Sequence, residues 1–295
     1  MGDISYAHSD LAIECGNGFR GKGADFTEEE KGGCNITRLF ISDQEGAAAY
    51  GKPEGCYVTI SCGKMWEMED EDMDDTADVL AEEIRRMSVD VCKKSIDQNF
   101  SVLVVGLGNV EITPDAIGPE AVKRIEVTRH LRTLAPEIYK SLGSCEISAL
   151  TPGVLGQTGI ETAELIRGAA EYTKPDVIVA IDALAARAVS RLATTIQLAD
   201  TGINPGSGIG NKRRGITRET VGAPVIALGV PTVVDSSTLV YDALSSAGIS
   251  EISDELHRVL EEGRSYIVSP KESDVIMKKV AVLLARAINL AFEPA

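Results

Sequence analysis

Asp115, Asp182 and Asp200 each stand where an apolar run gives way to a loop, a position from which a carboxylate can do acid–base chemistry. Asp115 lies in "VVGLGNVEITPDAIGP" (Val104 to Pro119), and Asp182 closes "VIVAID" directly after five apolar residues. A carboxylate so placed is costly unless it is paired or hydrogen-bonded. Two carboxylates in one partly dry pocket do not both ionise easily, so they can share a proton. One then serves as a base that activates water, and the other as an acid for a leaving amine. Asp182 has an equally good alternative use, as the N-cap of a helix beginning at Ala183. Asp200 opens Asp200-Thr201-Gly202, a tripeptide typical of pepsin-like aspartic proteases. Their fold is all-β and this sequence is not, so Asp200 enters only as a candidate third member of the pocket.

The glycine turns around these acids do not read as nucleotide loops. Gly106 and Gly108 give G-x-G, but Glu111 holds the third glycine position, and Pro114 interrupts the turn where a phosphate-binding helix would begin. "DTGINPGSGIGNKRRG" (Asp200 to Gly215) departs from a P-loop at Asn211, which replaces glycine, and at Arg213, which replaces the magnesium-holding hydroxyl. Its amides with Lys212, Arg213 and Arg214 could hold an anionic group; a flexible surface loop is an equal reading. Asn109, Lys212 and Arg213 are therefore supporting candidates. The histidines, His8, His130 and His257, follow no core strand, so a serine or cysteine nucleophile has no evident base. Cys15, Cys34, Cys56, Cys62, Cys92 and Cys145 lack C-x-x-C spacing, and reduced, buried thiols are expected rather than a zinc site. No cofactor is expected.

The elements that must position these residues follow from periodicity. From Ser101 onward, continuous apolar runs alternate with helical patterns: "SVLVVG", "CEISAL", "DVIVAID", "TTIQLAD" and "PVIALGV" as strands, "PEAVKRIEVTRHLRTL" and "DVIMKKVAVLLARAINLAF" as helices. Thr158 and Glu161 read as a capping box opening a helix towards Tyr172. Such alternation implies a three-layer α/β/α domain over residues 99–295, with a mostly parallel sheet covered on both faces. Residues 11–98 form a smaller N-terminal extension, with strands at Thr37–Ile41 and Tyr57–Cys62 and a helix from Thr76 to Ser95. The acidic run "WEMEDEDMDD" (Trp66 to Asp75) reads as a solvated loop.

Composition narrows the function. The chain has 295 residues and a net charge of −16, which argues against a nucleic-acid-binding surface. No run of 18 apolar residues and no signal-peptide pattern occurs, so no membrane association and a cytoplasmic location are expected.

Taken together, "SDLAIE", "GKPEGCYVTI", "VVGLGNVEITPDAIGP", "TPGVLGQTGIE", "AIDALAAR", "TTIQLADTGINPGSGIGNKR", "GAPVIALGVPTVVD" and "YIVSPKE" resemble the germination proteases of spore-forming bacteria. The matching runs extend from about Ser9 to Glu272. The resemblance implies an atypical aspartic endopeptidase in the spore core that begins degradation of small acid-soluble spore proteins. It also implies a homotetramer made as a zymogen, with a fold similar to hydrogenase maturation endopeptidases. The proposed catalytic aspartates of that family correspond to Asp115 and Asp182. Two readings compete: a metal-dependent maturation-type peptidase, disfavoured because no histidine follows a core strand, and a non-catalytic binding protein on the same scaffold, disfavoured by the presence of both aspartates.

Family substrates are cut after an acidic residue and before an apolar one, within a motif ending in glutamate. "SDLAIE" (Ser9 to Glu14) has that form, so self-cleavage between Asp10 and Leu11 is expected, releasing residues 1–10 as a short pro-segment. His8 stands where relatives are expected to carry a basic residue, which puts control by that segment in question.

Overall fold

The computed structural model describes residues 9–15, 21, 23–206, 213–249, 252–262 and 266–293. His8 and Lys212 lie outside them. One sheet organises the chain, with strands in the order β1-β2-β3-β7-β8-β6-β4-β5 and β9 paired to β8. The strands are β1 (Ala24–Lys31), β2 (Cys34–Ile41), β3 (Gly55–Ser61), β4 (Ser101–Gly106), β5 (Glu146–Leu150), β6 (Val177–Ala186), β7 (Thr195–Ala199), β8 (Val225–Asp235) and β9 (Ile267–Val268). β5, β4, β6 and β8 run parallel, as buried apolar strands joined through helices should. β7 is antiparallel to both β8 and β3, and β1–β3 continue antiparallel, so the N-terminal strands extend the same sheet.

Alternate residues of the central strands feed opposite cores. Val102, Val104, Val177 and Val179 face one cluster, to which helix α2 (Asp70–Cys92) contributes Leu80, Ile84 and Met87. Helix α11 (Ser273–Phe292) covers the same face with Ile276, Val280, Leu283, Leu284, Ala287 and Ile288, all buried as their spacing requires. Leu103, Val105, Ile178 and Ala180 face the other cluster, covered by Ala163, Ile166 and Ala170 of helix α7 (Thr162–Thr173). This gives the three expected layers. Among the described residues no helix is long and apolar enough to cross a membrane.

Several local expectations are corrected. Strand β1 and helix α1 (Gln44–Tyr50) were not legible, because β1 carries Glu28, Glu29 and Glu30 on an exposed sheet edge and α1 lies in an alanine- and glycine-rich stretch. The acidic run is only partly a loop. α2 begins at Asp70, so Asp70, Glu71 and Asp72 form its first turn, where the helix dipole favours negative charge. The helix expected after Pro119 is two helices, α3 (Ile117–Val122) and α4 (Arg129–Leu134); between them the backbone leaves the helix so that the Thr128 amide can bond the Ile147 carbonyl beside β5 (3.0 Å). The start of α7 is at Glu161–Thr162, and Thr158 instead ends the short helix Leu155–Thr158, so no capping box joins Thr158 to Glu161.

Candidate active site

Asp115 reaches its place through close backbone packing. After β4 the chain turns at Gly108, whose φ is +111°, and a Cβ there would lie 2.0 Å from the Asp115 carbonyl oxygen. Gly118, in the first turn of α3, sits against the carbonyl oxygens of Leu107 and Ile181, which a Cβ would meet at 2.3 and 2.6 Å. These glycines pack backbone on backbone; they do not cradle a phosphate. The Leu107 amide donates to the Ile181 carbonyl (2.8 Å), tying the loop to β6 one residue before Asp182. The Asn109 backbone amide donates to Asp115 Oδ2 (2.7 Å), while the Asn109 side-chain oxygen accepts from Gln157 Nε2 and from the Glu111 amide (2.9 and 3.0 Å).

Asp182 lies within β6, not at its end: the strand continues to Ala186, and the helix-capping use of Asp182 is therefore not realised. Parallel pairing to β4 stops at Gly106 and Ile181, so Asp182 stands just beyond the carboxyl end of the neighbouring strand, at the sheet position where α/β proteins place their sites. It is only 5% exposed, and its Oδ1 accepts from the Ala183 amide (3.0 Å). Burial, then the nearby Asp115 and Asp10 carboxylates, hold its pKa well above the ordinary value. Burial also raises Asp115, partly offset by the Asn109 amide and the Arg213 charge.

Asp115 and Asp182 line one cleft of about 200 Å³, together with Asp10, Arg213 and Thr232. Thr232 is fully buried at the irregularity where β8 pairs with β6, and its hydroxyl has no hydrogen-bond partner. A second cleft of about 120 Å³ shares Asp10 and Asp182 and adds Lys52, Tyr57 and Gln197. Asp200 is not brought to the pair. Its carboxylate accepts from the Cys56 amide (2.8 Å), locking the ends of β3 and β7 together. Among the described residues no group of three His, Cys, Asp or Glu side chains could hold a metal ion.

The segment Ser9–Cys15 lies across this region. Leu11 is fully buried among Leu184, Ala186, Leu192 and Val234. Burying one leucine stabilises by about 1.5–3 kcal/mol, enough to anchor a short segment that continues into the 3-10 turn Ala12–Glu14. The Asp10 amide donates to the Ala185 carbonyl, and Asp10 Oδ2 accepts from the Ala185 amide, both at 2.9 Å. Glu14 accepts from the Arg187 and Ala188 amides (2.7 and 3.0 Å), pairs with Arg191 (3.3 Å) and accepts from the Ser9 hydroxyl. Gln197 straddles the Asp10–Leu11 bond: its Nε2 donates to the Asp10 carbonyl (3.0 Å) and its Oε1 accepts from the Ala12 amide (2.6 Å). Lys52 Nζ donates to the same Asp10 carbonyl (3.0 Å).

Sequence reasoning missed Lys52, Gln197, Arg191 and Thr232. Gln197 carried a usable signal, as an amide amid the apolar residues of "TTIQLAD", where burial demands a partner. Lys52, in a surface turn after α1, carried none.

The germination protease family profile matches residues 15–247. Germination protease of Caldanaerobacter subterraneus subsp. tengcongensis is 41% identical over 97% of this chain and 94% of its own. That of Clostridium acetobutylicum is 37% identical over 99% and 97%, and that of Bacillus subtilis 47% identical over 76% and 59%.

Proposed function

Because this chain belongs to the germination protease family and is a peptidase, we propose that it hydrolyses peptide bonds with Asp115 and Asp182 as a proton-sharing pair. The observation that carries the reading is the shared cleft: one buried and one partly buried carboxyl, both with raised pKa, line it together with Asp10. One carboxylate takes a proton from water as it attacks the carbonyl carbon, and the protonated partner supplies a proton to the departing amine. Arg213 tempers the repulsion between the two acids.

Small acid-soluble spore proteins are the proposed substrates, in the germinating spore core, and a homotetramer is the proposed assembly. The chain is proposed to be a zymogen that cuts itself between Asp10 and Leu11, leaving residues 11–295 as the peptidase domain. Supporting this, the segment is held at both acidic ends, Asp10 at Ala185 and Glu14 at Arg187, Ala188 and Arg191, with its apolar residue buried between. That is how an acidic–apolar–acidic substrate would be gripped.

The test is intact-mass measurement of the purified chain held at mildly acidic pH. Loss of residues 1–10 from wild type, but not from Asp182→Asn, is the expected result. Equal trimming of both chains, or a cut elsewhere, excludes self-cleavage. Incubation of the processed enzyme with a purified small acid-soluble spore protein then tests the substrate.

A further inference from the structure

The Asp10–Leu11 bond is not simply near two acids; its carbonyl oxygen already has two donors. Lys52 Nζ and Gln197 Nε2 each lie 3.0 Å from it. The orientation of the Gln197 amide is fixed from the other side, because its Oε1 accepts from the Ala12 amide (2.6 Å) and so its Nε2 must face the Asp10 carbonyl. Lys52 and Gln197 approach from the smaller cleft, which also reaches Asp182. One ammonium and one amide converging on a peptide oxygen, with Asp10 lining the same cleft as the two acids, is the arrangement that stabilises charge developing on that oxygen.

From this we infer that Lys52 and Gln197 form the oxyanion hole of the peptidase, an inference that rests on the self-cleavage reading above. Water adds to the Asp10 carbonyl carbon and gives its proton to the basic carboxylate. The carbonyl π electrons move onto oxygen, where Lys52 and Gln197 hold the negative charge. The oxyanion then collapses, the bond from carbon to the Leu11 nitrogen breaks, and the protonated carboxyl delivers its proton to that nitrogen. The products are a terminal carboxylate on Asp10 and a free amine on Leu11. Atoms balance with one water consumed, and no further reactant is required. External substrates would place their scissile carbonyl in the same hole once residues 1–10 have left and the new Leu11–Glu14 end has withdrawn from Gln197, Arg187 and Ala188.

The same geometry assigns Gln197 a second task. Its two hydrogen bonds span three residues of main chain, from the Asp10 carbonyl to the Ala12 amide, and so set the register of the cleaved bond without reading a side chain. Side-chain selection is left to Ala185, Arg187, Ala188 and Arg191.

Lys52→Met and Gln197→Leu in the full chain test the inference. Self-cleavage is followed by intact mass at mildly acidic pH, amide exchange at Asp10 reports whether the segment remains seated against Ala185, and circular dichroism checks the fold. Loss of one such donor slows reaction by about 10²–10³-fold. The expected result is a slowing of that order in each variant with the Asp10 amide still protected. Wild-type rates in both variants overturn the inference. So does a slowing that accompanies loss of Asp10 protection, since Lys52 and Gln197 would then only seat the segment. The two readings fail differently. A wild-type chain that leaves Asp10–Leu11 intact removes self-cleavage and the oxyanion hole together. A wild-type chain that cuts there, with cutting abolished in Asp182→Asn but normal in Lys52→Met and Gln197→Leu, removes the oxyanion hole alone.

Discussion

At the residue scale, Asp182 carries opposite consequences for activity and stability. In the proposed mechanism, Asp115→Asn and Asp182→Asn each lower the rate of peptide cleavage by at least about 10²-fold, the contribution of a general acid or base, measured as initial rate at fixed enzyme. Stability moves the other way for Asp182. Its pKa is higher in the folded chain than the ordinary 3.8, so the folded state binds the proton more tightly. The contribution of Asp182 is therefore most favourable below that ordinary value and is lost as pH rises to the folded pKa, above which a buried charge must be maintained. Asp182→Asn removes that cost. It is expected to melt higher than wild type at neutral pH, by about 2–4 °C for each kcal/mol relieved, with the gain shrinking as pH is lowered towards the carboxylate range. Thermal melts of both proteins across pH check this. A dyad that works singly protonated also loses activity as pH rises through its upper apparent pKa, which explains why mild acid should favour self-cleavage.

At the element scale, the loop between β4 and α3 and the middle of β6 act as one platform. Gly108→Ala is the sharpest probe, because the added methyl collides with the backbone of Asp115 and the residue must keep a φ that alanine resists. It is expected to displace Asp115 and cut the cleavage rate more than 10-fold while circular dichroism stays close to wild type. The opposite wall offers a milder test. Glu14→Ala leaves the Arg187 and Ala188 amides and Arg191 without their acceptor. Hydrogen bonds to a charged group are worth about 1.5–3 kcal/mol, so the Ser9–Glu14 segment should detach more often. Faster amide exchange at Asp10 and slower self-cleavage are expected together, read by hydrogen–deuterium exchange and intact mass.

For the whole molecule, one sheet joins the N-terminal strands to the α/β/α core. The turn before the antiparallel strand β3 contributes Lys52 to the proposed site, whose acids come from the parallel half. Two predictions belong here. Cleavage is expected to be unchanged in excess chelator, checked by rates with and without it; loss of activity restored by stoichiometric zinc or manganese would move the chemistry to a metal mechanism. On the proposed assembly, light scattering after size exclusion should give about four times the 31.3 kDa protomer mass. What the sequence determined by itself was whatever depends on local order: the apolar runs that must become buried strands, the faces of α2 and α11, and the two aspartates placed after such runs. Those follow from 2.0- and 3.6-residue periodicities and from the cost of a carboxylate next to a core. Tertiary structure alone decided the rest. Whether β6 would stop at Asp182 or pass through it depended on β8 as its neighbour, and whether Asp200 would join the pair depended on the Cys56 amide claiming it. Lys52 and Gln197 are 145 positions apart and meet at the Asp10 carbonyl only because β7 lies between β3 and β8. No local pattern records a contact that long-range strand pairing creates.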